Sequence, residues 1–180
     1  MATLQHADGI AEMVTSLSRL LKTISKDIRK IVTLKDELTL LDDYLVIQKY
    51  RYGNNVSVTT SILDSVLLET PIPRFSLQPL VENAIFHGIE PKGSGNIFLE
   101  AVQDGGDVLV TITDDGVGMS NDLLREILEG GNAMPGMFSK LGLRNVDERL
   151  RYAFGSRYGL SILSEEGKYT AMTLRLPAHV

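Results

Sequence analysis

Leu77-Gln78-Pro79-Leu80-Val81-Glu82-Asn83-Ala84-Ile85-Phe86-His87-Gly88 is the stretch on which the architecture turns. On a helical wheel at about 100° per residue, Leu77, Leu80, Val81, Ala84, Ile85 and Gly88 share one arc, and that arc reads as core. Asn83 and His87, four apart, lie together on one flank of it, with Glu82 and Phe86 on the far side. A polar pair at the edge of an apolar arc suits a half-buried position aimed into a cleft. An ordinary boundary between core and solvent would supply the same two residues, so the helix alone does not settle the matter.

Upstream of this helix the pattern is helical twice over. Apolar residues fall at Ile10, Met13, Val14, Leu17, Leu20, Leu21, Ile24 and Ile28, the threes and fours of one helical face. A second helix starts near Thr33, an N-cap with Asp36 three residues on, carries Leu34, Leu38, Leu41, Leu45 and Gln48 on one seam, and stops at Gly53-Asn54. The apolar stripes of such a hairpin exceed what one partner covers, so further helices, as in a dimer, are expected against it. Lys22, Lys26, Arg29 and Lys30 between the helices read as a solvated surface.

After Gly53 the texture becomes short β-like runs, 56–62 and 66–68, followed by the stiff Pro71-Ile72-Pro73 passage, so the division falls between a helical hairpin, 1–53, and a domain, 54–180. Beyond the helix at 76–87 come a strand pair, 96–102 and 108–113, turning at Asp104-Gly105-Gly106, then a loose stretch rich in Gly, Met and Asn. A helix over 143–152 and strands over 158–163 and 169–176 close the chain. Elements that alternate without repeating βαβ units predict an α/β two-layer sandwich, a mixed sheet with helices on one face, preceded by the hairpin.

Composition narrows the function classes. A chain of 180 residues buries one good core with a helical extension beside it. The net charge of -5 excludes a nucleic-acid footprint, which is normally a surplus of Lys and Arg on one face. No cysteine is present, so disulfides and thiolate metal sites are absent and any metal is held by oxygen or imidazole. No apolar run approaches the roughly 20 residues that cross a bilayer. No direct membrane contact is expected of these residues.

Two further segments carry chemistry. Thr113-Asp114-Asp115-Gly116-Val117-Gly118-Met119 follows directly on a strand. A carboxylate at a strand's end can accept a hydrogen bond from a purine amino group, and the glycines let a ring approach the backbone. Asp114 has the better position for this, although Asp-Gly is also ordinary turn chemistry. The segment is neither a calcium loop, lacking alternating acidic ligands, nor a Walker or dinucleotide-binding loop, lacking Gly-Lys-Ser/Thr and the glycine spacing. In Leu141-Gly142-Leu143-Arg144-Asn145-Val146 a glycine opens the next helix, and unpaired N–H groups at a helix start seat phosphate. Between these segments Gly130, Gly131, Pro135 and Gly136 break any long element, which reads as a lid over the site.

Together the three segments, in this order and spacing, resemble the GHKL superfamily of ATP-binding domains, specifically the sensor histidine kinases of the LytS type. Residues 77–88 resemble its N box, Asp114 to Gly118 its G1 box, and Gly142-Leu143-Arg144-Asn145-Val146-Asp147-Glu148-Arg149-Leu150 its G2 region. Glu37-Leu38, Tyr44-Leu45, Ile47-Gln48 and Arg51 resemble the stretch after the phosphoacceptor region. The resemblance implies ATP and Mg²⁺ as cofactors, with Asn83 as metal ligand, Asp114 as adenine reader, and Gly116 and Gly118 at close approach. It also implies phosphate contacts from Gly142 and Leu143, a pocket lined by His87, and Thr170 matching a threonine of the G3 box. One protein ligand suits Mg²⁺, which keeps several waters and takes other ligands from ATP oxygens.

Several positions depart from the pattern. Phe86 stands where many relatives carry a lysine, Tyr169 replaces a glycine, and Lys140 replaces the first glycine of the G2 box and is assigned a phosphate contact in compensation. Pro79 occupies the position of a water-activating glutamate in hydrolysing members, which disfavours a gyrase- or chaperone-like ATPase. The Asn-Pro-His-Phe-Leu-type phosphoacceptor motif does not occur, and His6 has none of its neighbours. The expected function is therefore a histidine kinase catalytic domain acting on a histidine upstream of these residues. Its expected partners are a response-regulator receiver domain and a second copy in the full-length protein. Its expected setting is the cytoplasmic side of a membrane-anchored bacterial sensor. The alternatives are another GHKL ATPase or serine kinase, and a nucleotide-silent dimerising module.

Overall fold

The computed structural model describes residues 2–24, 30–62, 64–128 and 138–179, with the side chains of 2–8, 23, 24, 126, 128 and 138–141 outside the described set. Helix α1 spans Ala2–Ile24, and α2, Leu34–Tyr52, packs back along it. Thr33 closes a capping box with Asp36, its hydroxyl accepting from the Asp36 N–H at 3.1 Å while the Asp36 carboxylate accepts from the Thr33 N–H. Gly53 caps the far end with φ +60°, where a side chain would be strained. The α1 stripe divides: Leu20 is buried, Met13 half-buried, while Ile10, Val14, Leu17 and Leu21 face solvent at 47–59% exposure. The hairpin thus leaves an apolar seam uncovered, as the stripe widths predict.

The sheet is five-stranded and mixed, ordered β2-β4-β5-β7-β6, with β2 (Val56–Ser61), β4 (Gly95–Asp104), β5 (Asp107–Asp114), β6 (Gly159–Glu165) and β7 (Tyr169–Pro177). β2 runs parallel to β4, and every other pairing is antiparallel. Alternation is strict where one face is covered: Ile97, Leu99 and Ala101 point into the core while Phe98, Glu100 and Val102 point out. Against the inner face lie α3 (Leu77–Asn83) and α5 (Phe138–Phe154), which contribute Leu77, Leu80, Val81, Leu143, Val146 and Leu150 to one continuous core with Met172 and Leu174. Leu34, Leu40, Leu41 and Tyr44 of α2 join the same core.

The structure refines the expected elements in four places. Residues 66–68 are not a strand: Ser65–Glu69 is a 3-10 turn, nucleated by Asp64 accepting from the Val66 N–H, and Val66 is left exposed. The Pro71-Ile72-Pro73 passage forms a short strand, β3, pairing with β1 (Ile31–Thr33). The loose stretch after the G1 segment begins with a helix, α4 (Asn121–Leu128); the glycines expected to form the lid, and the end of the first helix beyond Ile24 with Lys26 and Arg29, lie outside the described residues. The last helix starts not at Leu143 but at Phe138.

A polar fastening joins the hairpin to the sheet domain. The Glu37 carboxylate, from α2, is 2% exposed and accepts from the backbone N–H groups of Phe75, Ser76 and Leu77 at 2.7, 2.8 and 3.2 Å. It thereby caps α3 from outside its own chain segment, because Ser76 supplies no side-chain cap. Arg149 of α5 donates to the Arg74 and Phe75 carbonyls at 2.6 and 2.8 Å. Between the two clamps Phe75 is held at φ +59°, a left-handed conformation costly for an aromatic residue.

Candidate nucleotide site

Asp114 is the last residue of β5, flanked in register by Ile97 on β4 and Thr170 on β7. It is fully buried, because α3 and its continuation close over the sheet at this point. Its Oδ1 accepts from the Gly116 N–H at 3.0 Å, and its Oδ2 is buried with no hydrogen-bond partner. Burial, first, and the Asp115 charge, further down, push this carboxyl up to about 6, against the lowering effect of the Gly116 N–H. A buried, unpaired, ionisable acceptor is costly to leave unsatisfied, and a ligand amino group would satisfy it.

Glycines leave the space in front of that acceptor open. A Cβ on Gly88 would strike the Asp114 carboxylate, one on Gly116 would strike the Gly88 backbone, and one on Gly118, at φ +64°, would strike the Glu165 carbonyl. Gly88 reaches Asp114 because α3 does not continue as an α-helix. Ala84–Ile89 forms a wider π-type turn, a feature common at functional sites. The Val117 N–H then bonds the Gly88 carbonyl at 2.9 Å, fastening the helix end to the loop. Thr170, also buried, shares a hydrogen bond with Ser164 at 2.9 Å, and Ser164 accepts from the Met119 N–H at 2.9 Å, so the loop's far end is tied to β6 and β7.

Asp115 does different work from its neighbour. Burial acts to raise its pKa, but hydrogen bonds from the Asn96 side chain and N–H, with Lys92 adding its charge, hold the carboxyl below the ordinary range. It is a strut that fixes the loop while Asp114 stays available. Of the two carboxylates, Asp114 keeps an unpartnered oxygen and Asp115 does not.

The other expected residues are distributed unequally. Asn83 is 4% exposed, its amide nitrogen donating to the Met172 sulfur at 3.7 Å, a weak acceptor. His87 is exposed at the rim, so the pair expected to lie together on one flank is split between interior and solvent. Gly142 and Leu143 do not open a helix. They lie in the second turn of α5, and Leu143 is buried in the core. Lys140, standing where a glycine would break the helix, lets the turn form one turn earlier. The N–H groups of Gly142 and Leu143 therefore lie inside the helix, and the Lys140 side chain lies outside the described residues. Much of the rest of the G2 segment is scaffold: Asp147 accepts from the Leu160 N–H at 2.8 Å and pairs with Arg151, Leu150 is fully buried, and Arg149 clamps the segment before α3.

Sequence reasoning missed Gly88 as part of the cradle, and Ser164, Asn96 and Lys92 as its supports. Gly88 carried a signal, a glycine ending an apolar helical arc; the others carried none, because their roles depend on strand register. Gly142→Ala tests the early helix start. A Cβ there meets only Pro79, at 3.6 Å, so the unliganded chain should gain about 0.5–1 kcal/mol in urea unfolding. A loss of stability would place Gly142 outside the helix.

Comparison with known proteins agrees with this geometry. The family described as "Histidine kinase-, DNA gyrase B-, and HSP90-like ATPase" matches residues 73–180, and the family described as "Histidine kinase" matches residues 1–56. The sensor histidine kinase YesM of Bacillus subtilis (strain 168) is 35% identical over 98% of this chain and 29% of that protein. The sensor histidine kinase BtsS of Escherichia coli (strain K12) is 34% identical over 96% of this chain and 28% of that protein. The chain thus spans under a third of the length of these curated relatives. In fold it is similar to the histidine kinase domain of a blue-light activated histidine kinase from Erythrobacter litoralis, with TM-score 0.56, 18% identity and coverage of 94% of this chain and 75% of that one. It is likewise similar to the catalytic domain of the histidine kinase ThkA, with TM-score 0.59, 14% identity and coverage of 83% and 97%. No helix among the described residues is long and apolar enough to cross a membrane. A sheet and helix order shared with kinase catalytic domains, an acceptor buried in a glycine cradle and two family matches that together reach both ends lead to one conclusion: the chain belongs to the histidine kinase-, DNA gyrase B- and HSP90-like ATPase family, within its sensor histidine kinases.

Proposed function

We propose that the chain binds ATP with Mg²⁺ and presents its γ-phosphoryl for in-line transfer to a histidine imidazole outside these residues. The observation that carries this reading is the Asp114 Oδ2, buried and unpartnered within the cradle of Gly88, Gly116 and Gly118. Asp114 accepts from the adenine amino group, and Thr170, its neighbour across β7, borders the same end of the pocket. Asn83, one turn before Gly88, is the protein ligand to Mg²⁺, which when bound neutralises phosphate charge. His87 lines the mouth. Lys140 meets the phosphates from the first described turn of α5, with Gly142 and Leu143, whose N–H groups lie within the helix, behind it. The imidazole nitrogen forms the new N–P bond as the bond to the β-phosphate oxygen breaks, ADP leaves and the imidazole proton goes to solvent or base; catalysis is positioning and charge neutralisation.

The same reading divides the chain into a helical part, 1–53, and a nucleotide-binding part, 54–180. The uncovered Ile10, Val14, Leu17 and Leu21, spaced four, three and four, form the seam through which two copies pair in the full-length protein. A receiver domain of a response regulator then takes the phosphoryl group from the histidine, on the cytoplasmic side of a membrane-anchored sensor.

Equilibrium binding of a non-hydrolysable ATP analogue, with and without Mg²⁺, tests this reading beside its GTP counterpart. Saturable binding that Mg²⁺ strengthens, with the guanine nucleotide at least roughly 30-fold weaker, is expected because guanine offers an acceptor where adenine offers a donor. With γ-labelled ATP the chain alone should retain no label. Steady phosphate release would point instead to an ATPase, against the absence of a carboxylate at Pro79.

A further inference from the structure

The residues assigned to the nucleotide include no permanent cation among the described side chains, and Asp114 and Asp115 add negative charge at the base end. A polyphosphate brought into that field gains from counter-charge besides the metal and Lys140. Lys92 is not available for it, because its ammonium is committed to the Asp115 carbonyl and carboxylate.

Arg51, near the end of α2, is placed differently. Its guanidinium carbon lies 5.3 Å from the ring centre of Phe86 and 5.0 Å from that of Tyr52. Phe86 sits on the turn between Asn83 and Gly88, beside His87, so the helical hairpin delivers a cation to the rim of the nucleotide-bearing helix. The ion pair of Arg51 with Glu90 is long, 3.8 Å, and both side chains are about half exposed, at 58% and 46%. Such a pair exchanges readily for a better anion. Glu90 keeps a second partner, the Tyr52 hydroxyl at 3.0 Å, when the guanidinium leaves. A guanidinium beside aromatic rings still has N–H donors for bidentate bonds to phosphate oxygens.

We propose that Arg51 binds the terminal phosphates of the nucleotide, exchanging Glu90 for them while it stays beside Phe86 and Tyr52. The proposal rests on the nucleotide reading of the Asp114 cleft. It makes affinity for the triphosphate depend on the hairpin: a displacement of α2 that lifts Arg51 from Phe86 withdraws a phosphate ligand and leaves the adenine pocket intact.

The test measures Kd for a magnesium-bound ATP analogue and for AMP, the latter by displacement, in the native chain, Arg51→Ala, Arg51→Gln and Arg51→Lys at two salt concentrations. Arg51→Ala and Arg51→Gln should weaken the triphosphate about tenfold and flatten its salt dependence, with AMP within about twofold of native and Arg51→Lys intermediate. The unchanged AMP affinity also reports that the variants are folded. Triphosphate affinity within twofold of native in Arg51→Ala overturns the proposal, as does equal weakening of AMP and triphosphate. If the native chain binds neither nucleotide, or if Asp114→Asn binds as well as native, the nucleotide reading itself fails, an outcome distinct from a native, Asp114-dependent site indifferent to Arg51.

Discussion

Asp114→Asn is expected to weaken binding of an ATP analogue by about 2–3 kcal/mol, roughly a 30- to 150-fold higher Kd, while leaving the unliganded chain at least as stable as before. Asparagine keeps the shape and can keep an oxygen toward the Gly116 N–H, which now bonds Oδ1 at 3.0 Å. Its amide nitrogen then replaces the unpartnered Oδ2 and sets a donor against the donor of the adenine amino group. The unliganded chain loses only a buried negative charge that faces Asp115 and is disfavoured by its surroundings. Thermal unfolding with and without the analogue separates the two effects: an undiminished ligand-induced rise in Tm for the variant would sink the adenine assignment.

The pH dependence follows from the same carboxyl. Burial raises its pKa to about 6, so the folded chain takes up this proton more readily than the unfolded chain, and the group's stabilising contribution is full below its unfolded value and lost as pH rises through about 6. Nucleotide binding runs the other way, because the protonated carboxyl no longer offers two acceptors. Affinity should be level above about pH 7 and fall by up to about tenfold per pH unit below 6, and Asp114→Asn should abolish that dependence.

Glu37→Ala is expected to lower the unfolding free energy by about 3–4 kcal/mol, about 10 °C in Tm for a chain of this size. The substitution leaves three N–H groups at the start of α3 without an acceptor in a site where Glu37 is 2% exposed. It also removes the negative partner of the half-buried Arg149. Part of the loss is offset because burial already disfavours the ionised carboxylate, whose pKa lies above the ordinary value. Glu37→Gln, which retains one acceptor, should lose less than half as much. Urea unfolding of the three chains checks the order, and an alanine variant within 1 kcal/mol of native would show that water replaces the cap.

Much of this was legible without coordinates because it depends on local chemistry. The period of apolar residues in 77–88 gives a helix with one buried face, Thr33 and Asp36 start α2, and Gly105-Gly106 turns β4 into β5. Asp114 beside two glycines at a strand's end was readable as a buried-acceptor candidate, and the order of the segments marked the family. Each of these signals lies within a few residues of what it specifies.

Other features were not legible because they arise where distant segments meet. The sequence alone determined that a helical hairpin precedes an α/β sandwich, that Asp114 beside two glycines and no Walker loop ends a strand, and that a proline stands at position 79. Only the tertiary structure decided that α5 begins before Gly142, that Gly88 rather than Gly142 closes on the site, that Glu37 caps a helix some forty residues away, and that Arg51 reaches Phe86. The physical reason is that capping, close backbone approach and charge placement are set by which chain segments are neighbours in space, and a sequence period records only which face each segment buries.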